Sequence, residues 1–167
     1  KVLEELSKEF QYIVCDSPAG IEKGANLALY FADDAFVVTN PEISSVRDSD
    51  RMLGILSSKS RRAERNEEPI KEYLLLTRYD AQRVKSGEML GLDDVQEILS
   101  LELLGIIPES KSVLSASNAG VPVILDEKSE AGQAYSDVVA RYLGEKRPHR
   151  FIDGKQSFLK RLFGGRP

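Results

Sequence analysis

The sequence has one cysteine, one histidine and no tryptophan among its 167 residues. Cys15 has no second thiol to pair with, and with His149 as the lone imidazole no Cys/His zinc or iron–sulfur site can be assembled. No apolar run approaches the ~18 to 20 residues that cross a bilayer, and no charged-then-apolar leader opens the chain, so a soluble, cytosolic protein is expected. Two phosphate-binding signatures are also missing. There is no G-x-x-x-x-G-K-[ST], whose backbone amides and lysine neutralise a triphosphate, and no G-x-G-x-x-G following a strand; Gly164-Gly165 is no substitute. A Ser/His/Asp triad cannot be argued either. Cys15, inside an apolar run and far from the histidine in sequence, is expected to pack in the core rather than act as a nucleophile.

What is present suits one globular domain: 41% hydrophobic and 30% charged residues. The net charge of -4 is unevenly spread, because residues 141–167 hold eight Lys/Arg against two acids while residues 1–140 hold 15 against 25. An acidic body argues against general nucleic-acid binding, and a basic end suits phosphate, an acidic partner or an anionic membrane. The opening KVLEELSKEF places Val2, Leu3, Leu6 and Phe10 at helical spacing. It lacks Met and reads as mid-helix, so a missing N-terminal part is expected.

Four apolar runs then alternate with helical stretches. The runs are Tyr12–Cys15, Ala35–Val38, Tyr73–Leu76 and Leu103–Ile107, and none shows polar alternation, which suits strands covered on both faces. The helical stretches are 21–32, 45–64, 92–100, 111–119 and 130–144. This order predicts an α/β fold, a mostly parallel sheet flanked by helices. Ser45 with Asp48 reads as a capping box at the start of the longest helix, with Val46, Met52, Leu53, Ile55 and Leu56 facing inward. The mixed charges of residues 60–69 read as a solvated helix end and loop. A domain over 1–146, a linker over 147–154 and a tail over 155–167 complete the organisation.

In open parallel sheets ligands sit at the carboxyl ends of strands. Those ends are Asp16–Gly20, Thr39–Glu42, Thr77–Tyr79 and Pro108-Glu109. Asp16, closing an apolar run, is placed either to hold a hydrated magnesium ion or to cap a turn. In the tail, Phe158, Leu159, Leu162 and Phe163 fall in an arc of about 140° on a helical wheel, with Lys160 and Arg161 opposite and Lys155 nearby. That is the pattern of an interfacial helix on an anionic membrane, the alternative being a terminal helix docked on its own domain.

Cys15–Gly20, Asn40–Arg51, Ser58–Arg62, Leu74–Tyr79, Gly105–Glu109, Ser117–Gly120 and Phe158–Gly165, in this order, resemble the ParA/MinD family of deviant Walker A P-loop ATPases. The resemblance covers nearly the whole chain and implies the C-terminal part of a P-loop NTPase-like protein, without its Walker A loop. It further implies an ATPase for cell-division site selection: a homodimer around ATP and Mg2+ that sits on the cytoplasmic face of the inner membrane through a C-terminal amphipathic helix, recruits the division inhibitor MinC and is released when MinE stimulates hydrolysis. By position, Asp16 is the Walker B-like aspartate, meeting Mg2+ through water, and Ser17, Pro18, Ala19 and Gly20 form the switch loop. Glu42 lies at the dimer face, Thr77, Arg78, Pro108 and Glu109 lie at the nucleotide, and Asp48 and Asp50 lie on the helix that MinC and MinE share. Lys155 and Phe158–Phe163 form the membrane helix. A chromosome or plasmid partition ATPase and a non-catalytic membrane adapter are the alternatives.

Overall fold

A computed structural model of the chain describes residues 2–17 and 29–152. They divide into two compact units, residues 1–35 with 52–70 and residues 36–51 with 71–167. In chain order the elements are α1 (Val2–Glu9), β1 (Asp34–Thr39), α2 (Ile43–Lys59), α3 (Arg61–Glu64), β2 (Lys71–Tyr79), α4 (Ala81–Lys85), α5 (Leu92–Leu99), β3 (Glu102–Pro108), α6 (Lys111–Asn118), a 3₁₀ turn (Val123–Leu125) and α7 (Glu130–Tyr142).

The expected α/β architecture is present as a three-stranded sheet in the order β1-β2-β3. β2 and β3 run parallel, with Leu74 opposite Leu103, Leu75 opposite Gly105 and Leu76 opposite Ile106. The register is interrupted between Leu76 and Tyr79. Arg78 lies in that interruption with φ at +55°, a left-handed conformation costly for a side chain with a Cβ.

In the second unit, one face of the sheet is closed by α7. Ser129 accepts the amide of Gly132 at 2.9 Å and so caps the helix, whose Ala131, Ala134 and Val138 recur at helical spacing. These three pack on Leu75, Leu104 and Ile107, with Tyr73, Val113, Tyr142 and Phe151 at the margin. Gly105 lets the helix come this close, because a Cβ there would overlap Val138 and press on Arg141. Phe36, Tyr73 and Tyr142 form an aromatic cluster with edge-on contacts of Tyr142 to both rings. In the first unit, Ala35, Leu56 and Ile70 form a smaller core with Leu29, Ala32 and Leu53, and Arg62 pairs with Asp33 at 2.6 Å.

Several expectations need correction. Tyr12–Cys15 is not a strand: these residues have no regular structure and are exposed, Val14 at 90%. Cys15 is therefore an exposed thiol, not a core residue. An apolar run without a ladder beside it leaves its backbone to water, so hydrophobicity alone does not make it extended. Ser45 does not cap α2 either. The helix starts at Ile43, and the carbonyl of Glu42 accepts the first bond, from Val46 at 3.0 Å. Ser45 lies inside the first turn, and its carbonyl accepts the Ser49 hydroxyl. The helix expected over 45–64 breaks at Ser60, which is buried and caps α3 by accepting from Ala63. α4, capped by Asp80, was not expected. The helix expected over 21–32 falls largely outside the described residues.

Candidate functional site

The polar residues that end the three strands of the second unit form the candidate site. After β1 the chain turns at Asn40-Pro41-Glu42, with the Glu42 amide donating to the Asn40 carbonyl at 2.8 Å. The buried Pro41 is pinned through its carbonyl, which accepts the Leu90 amide at 3.0 Å. Thr77, near the end of β2, donates its hydroxyl to Asn40 Oδ1 at 2.9 Å, which joins the ends of β1 and β2. Arg78 follows, and its left-handed backbone carries the side chain to Glu109, whose Oε2 accepts from Nε at 2.9 Å. The Glu109 amide in turn donates to the Tyr79 carbonyl at 2.9 Å, which joins the ends of β2 and β3 beside Pro108.

The electrostatics of this edge centre on Arg78. The hydrogen bond to Glu109 and the charge of that carboxylate hold the guanidinium above its usual pKa, and Glu42 adds a weaker pull in the same direction. Four of the five nucleotide-site residues expected from the sequence are thus linked: Thr77 through Asn40, and Arg78, Glu109 and Glu42 by charge. Pro108 lies in register with Tyr79 and precedes Glu109 in the chain. Arg78 and Glu109 are both largely exposed, so a planar or anionic ligand can reach the guanidinium without breaking into the core.

The remaining expected residues are placed separately. Asp16 is exposed and Ser17 half-buried, in a segment of the first unit without regular structure, while Pro18, Ala19 and Gly20 lie outside the described residues. Asp16 carries a carboxylate suited to a hydrated magnesium ion, and among the described residues no cluster of three His, Cys, Asp or Glu side chains is positioned for a metal. Asp48 and Asp50 are exposed on α2, with Asp48 pairing to Arg51 at 3.3 Å. Lys155 and Phe158–Phe163 lie outside the described residues. Among the described residues, no helix is long and apolar enough to cross a membrane.

Sequence reasoning missed one cluster, in which Arg150 donates to the buried Asp137 at 2.7 Å and to Gln133 at 3.0 Å. A signal was available, since Asp137 follows Ala134 by three residues on the inward stripe of α7, where a carboxylate requires a partner.

No family model matches the sequence. The chain is 66% identical over 167 residues to the septum site-determining protein MinD of Escherichia coli K12, which takes in 99% of this chain and 62% of that protein. Among solved structures, a MinC:MinD cell division protein complex from Aquifex aeolicus is 40% identical with a TM-score of 0.78, over 90% of this chain and 60% of that one. A septum site-determining MinD from Pyrococcus horikoshii OT3, complexed with Mg-ADP, is 25% identical with a TM-score of 0.69, over 86% of this chain and 56% of that one. The chain thus spans less than two thirds of the length of the curated relative it matches.

Proposed function

We propose that the chain, 66% identical over 167 residues to a septum site-determining protein MinD, is the part of a cell-division ATPase that presents the base-binding edge, the partner-binding helix and the membrane tail. In the longer protein, ATP lies against the strand ends, with Thr77, Arg78, Pro108 and Glu109 around the base and Glu42 at the face of an ATP-bound homodimer. Asp16 holds the magnesium ion through water, and residues 17–20 respond to the γ-phosphate. The phosphate cradle itself belongs to a Walker A loop that these 167 residues do not contain. Asp48 and Asp50 on α2 meet MinC and MinE, and residues 155–167 attach the protein to anionic lipid on the cytoplasmic side of the inner membrane. No role for nucleic acid follows.

The observation that carries this reading is the linked polar edge of Asn40, Thr77, Arg78 and Glu109 at the carboxyl ends of strands, where open α/β sheets bind ligands. The likeness to a MinD complexed with Mg-ADP supports the nucleotide, and the likeness to a MinC:MinD complex supports MinC as partner.

The test uses the longer protein. Arg78→Ala should weaken Mg-ATP binding about tenfold or more, the loss expected for a charged hydrogen bond to a ligand. Asp16→Asn should bind ATP and fail to hydrolyse it, because phosphoryl transfer depends on charge neutralisation and positioning. Unchanged ATP affinity in the first variant, with unchanged turnover in the second, refutes the reading.

A further inference from the structure

Residues 145–152 form neither helix nor strand, yet they are held to the second unit at several points. Arg141 on α7 spends its guanidinium on backbone carbonyls, donating to Leu104 at 2.7 Å, to Arg147 at 3.0 Å and to Pro148 at 2.8 Å. Arg150 turns back to α7 and pairs with Asp137, which is 8% exposed. Phe151 packs at the margin of the Leu75, Leu104 and Ile107 core. The hydroxyl of Tyr79, at the carboxyl end of β2, donates to the carbonyl of Ile152 at 3.1 Å. A spacer that served only to separate two parts would need none of these contacts.

The contacts tie one short segment to α7 and to the end of β2. They are directional and polar, with Phe151 as the main apolar anchor, and they all fall on one short segment. Asp137 makes the docked state specific, since a buried carboxylate that loses its guanidinium is left uncompensated. His149 makes it conditional. Its ring shares a narrow crevice with Ile106, Ala134, Asp137 and Arg141, and among the described residues its Nδ1 finds no hydrogen-bond partner. A proton on that ring would face the guanidinium of Arg141, with the Asp137 carboxylate pulling the other way.

We propose that residues 145–152 are a releasable latch: docked, they hold the chain as far as Ile152 beside the carboxyl end of β2, and released, they add up to about 28 Å to the reach of the basic sequence that follows. The latch stands on its own contacts. It rests on the proposed function only in that the segment it lengthens is taken to meet lipid.

Trypsin reads the latch in the longer protein through the Arg150–Phe151 bond, since Asp137 and Gln133 compete with a protease pocket for the docked Arg150 guanidinium. The cut at exposed Arg83 on α4 serves as the fold control. Asp137→Asn should speed cleavage after Arg150 tenfold or more and leave cleavage after Arg83 unchanged. Tyr79→Phe, which removes only the hydroxyl that holds Ile152, should speed it about threefold. If Asp137→Asn also speeds cleavage after Arg83, Tyr79→Phe decides the question. Cleavage after Arg150 that is as fast in the wild type as in a folded variant overturns the latch. Sedimentation with phosphatidylglycerol vesicles on the same samples judges the lipid role of the tail alone, so the two readings fail separately.

Discussion

Tyr12–Cys15 and Leu103–Ile107 are nearly indistinguishable as sequence: each is a short apolar run closed by polar residues and preceded by a helix. They end in opposite states. Leu104, Gly105, Ile106 and Ile107 are buried in β3, whereas all of Tyr12–Cys15 is exposed. The difference lies in what stands beside each run. β3 has β2 as a parallel neighbour and α7 across its face, so its ladder bonds toward β2 are paired and Leu104 and Ile107 are covered. An apolar run offers itself as a strand, and the neighbour decides whether it becomes one. The same contrast governs the polar residues that follow. Pro108 and Glu109 are fixed by β3 and joined to Arg78, while Asp16 follows a segment with no regular structure and is held by no strand.

The largest expected effect sharpens that contrast. In the 167-residue chain Leu104→Ala should cost about 3 kcal/mol by chemical denaturation, because it empties part of a core that α7 covers. Val14→Ala in the same chain should stay within about 0.5 kcal/mol, the range of a solvent-facing change. Repeating Val14→Ala in the longer protein shows whether a further strand covers the run. A cost there of about 1 kcal/mol or more would mean that the two runs differ only in the company they keep. Equal and large costs in the 167-residue chain would break the comparison.

Much of the fold was legible because local and tertiary signals agreed. α7 combined a serine cap with apolar residues at helical spacing, and β2 and β3 were unbroken apolar runs, so each was read within a few residues of its bounds. Ser45 misled because a capping box is a local pattern, whereas the start of α2 is set by the turn at Asn40–Glu42 and by the tie from Leu90 to Pro41. α4 was missed because five residues carry no period, leaving Asp80 as the lone signal. The strand-edge rule pointed to Thr77, Arg78 and Glu109, since it needs only the ends of runs. It failed to find the link from Asn40 to Thr77 as a pair, because side-chain partners across strands depend on register. Arg150 and Asp137 were hidden for a related reason: the partner arrives by a chain reversal with no periodic signature.

A smaller effect is expected at the end of β2, where the strand gives way to the site. Arg78→Gly removes a left-handed strain of about 1 kcal/mol. It also loses an exposed ion pair, for which about 0 to 1 kcal/mol is typical, and loosens the unfolded chain by a similar amount. Stability should therefore change by less than about 1 kcal/mol, as a denaturant midpoint will report. ATP affinity of the longer protein should fall as for Arg78→Ala. A loss of about 3 kcal/mol in stability with ATP affinity intact would move Arg78 from the ligand edge to the scaffold.

The smallest effect concerns pH and the segment after α7. Burial and the charge of Arg141 hold the His149 ring below its usual pKa, with Asp137 pulling weakly the other way. The unfolded chain therefore binds this proton at a higher pH than the docked segment does, so stability falls as the medium is acidified from about 6.5, the free imidazole value, downward. Above about pH 8 the ring is neutral in both states and contributes no slope. Carboxylates titrate at lower pH and complicate any single melting curve, so the informative quantity is a difference. Between pH 7.5 and 5.5 the wild type should lose a degree or two more in melting temperature than His149→Gln, and trypsin cleavage after Arg150 should quicken more in the wild type. The comparison of regions then predicts where the loss is felt. It should show after Arg150, where contacts are few and polar, and not after Arg83, and an equal rise at both bonds would mean that acid loosens the whole unit rather than the latch.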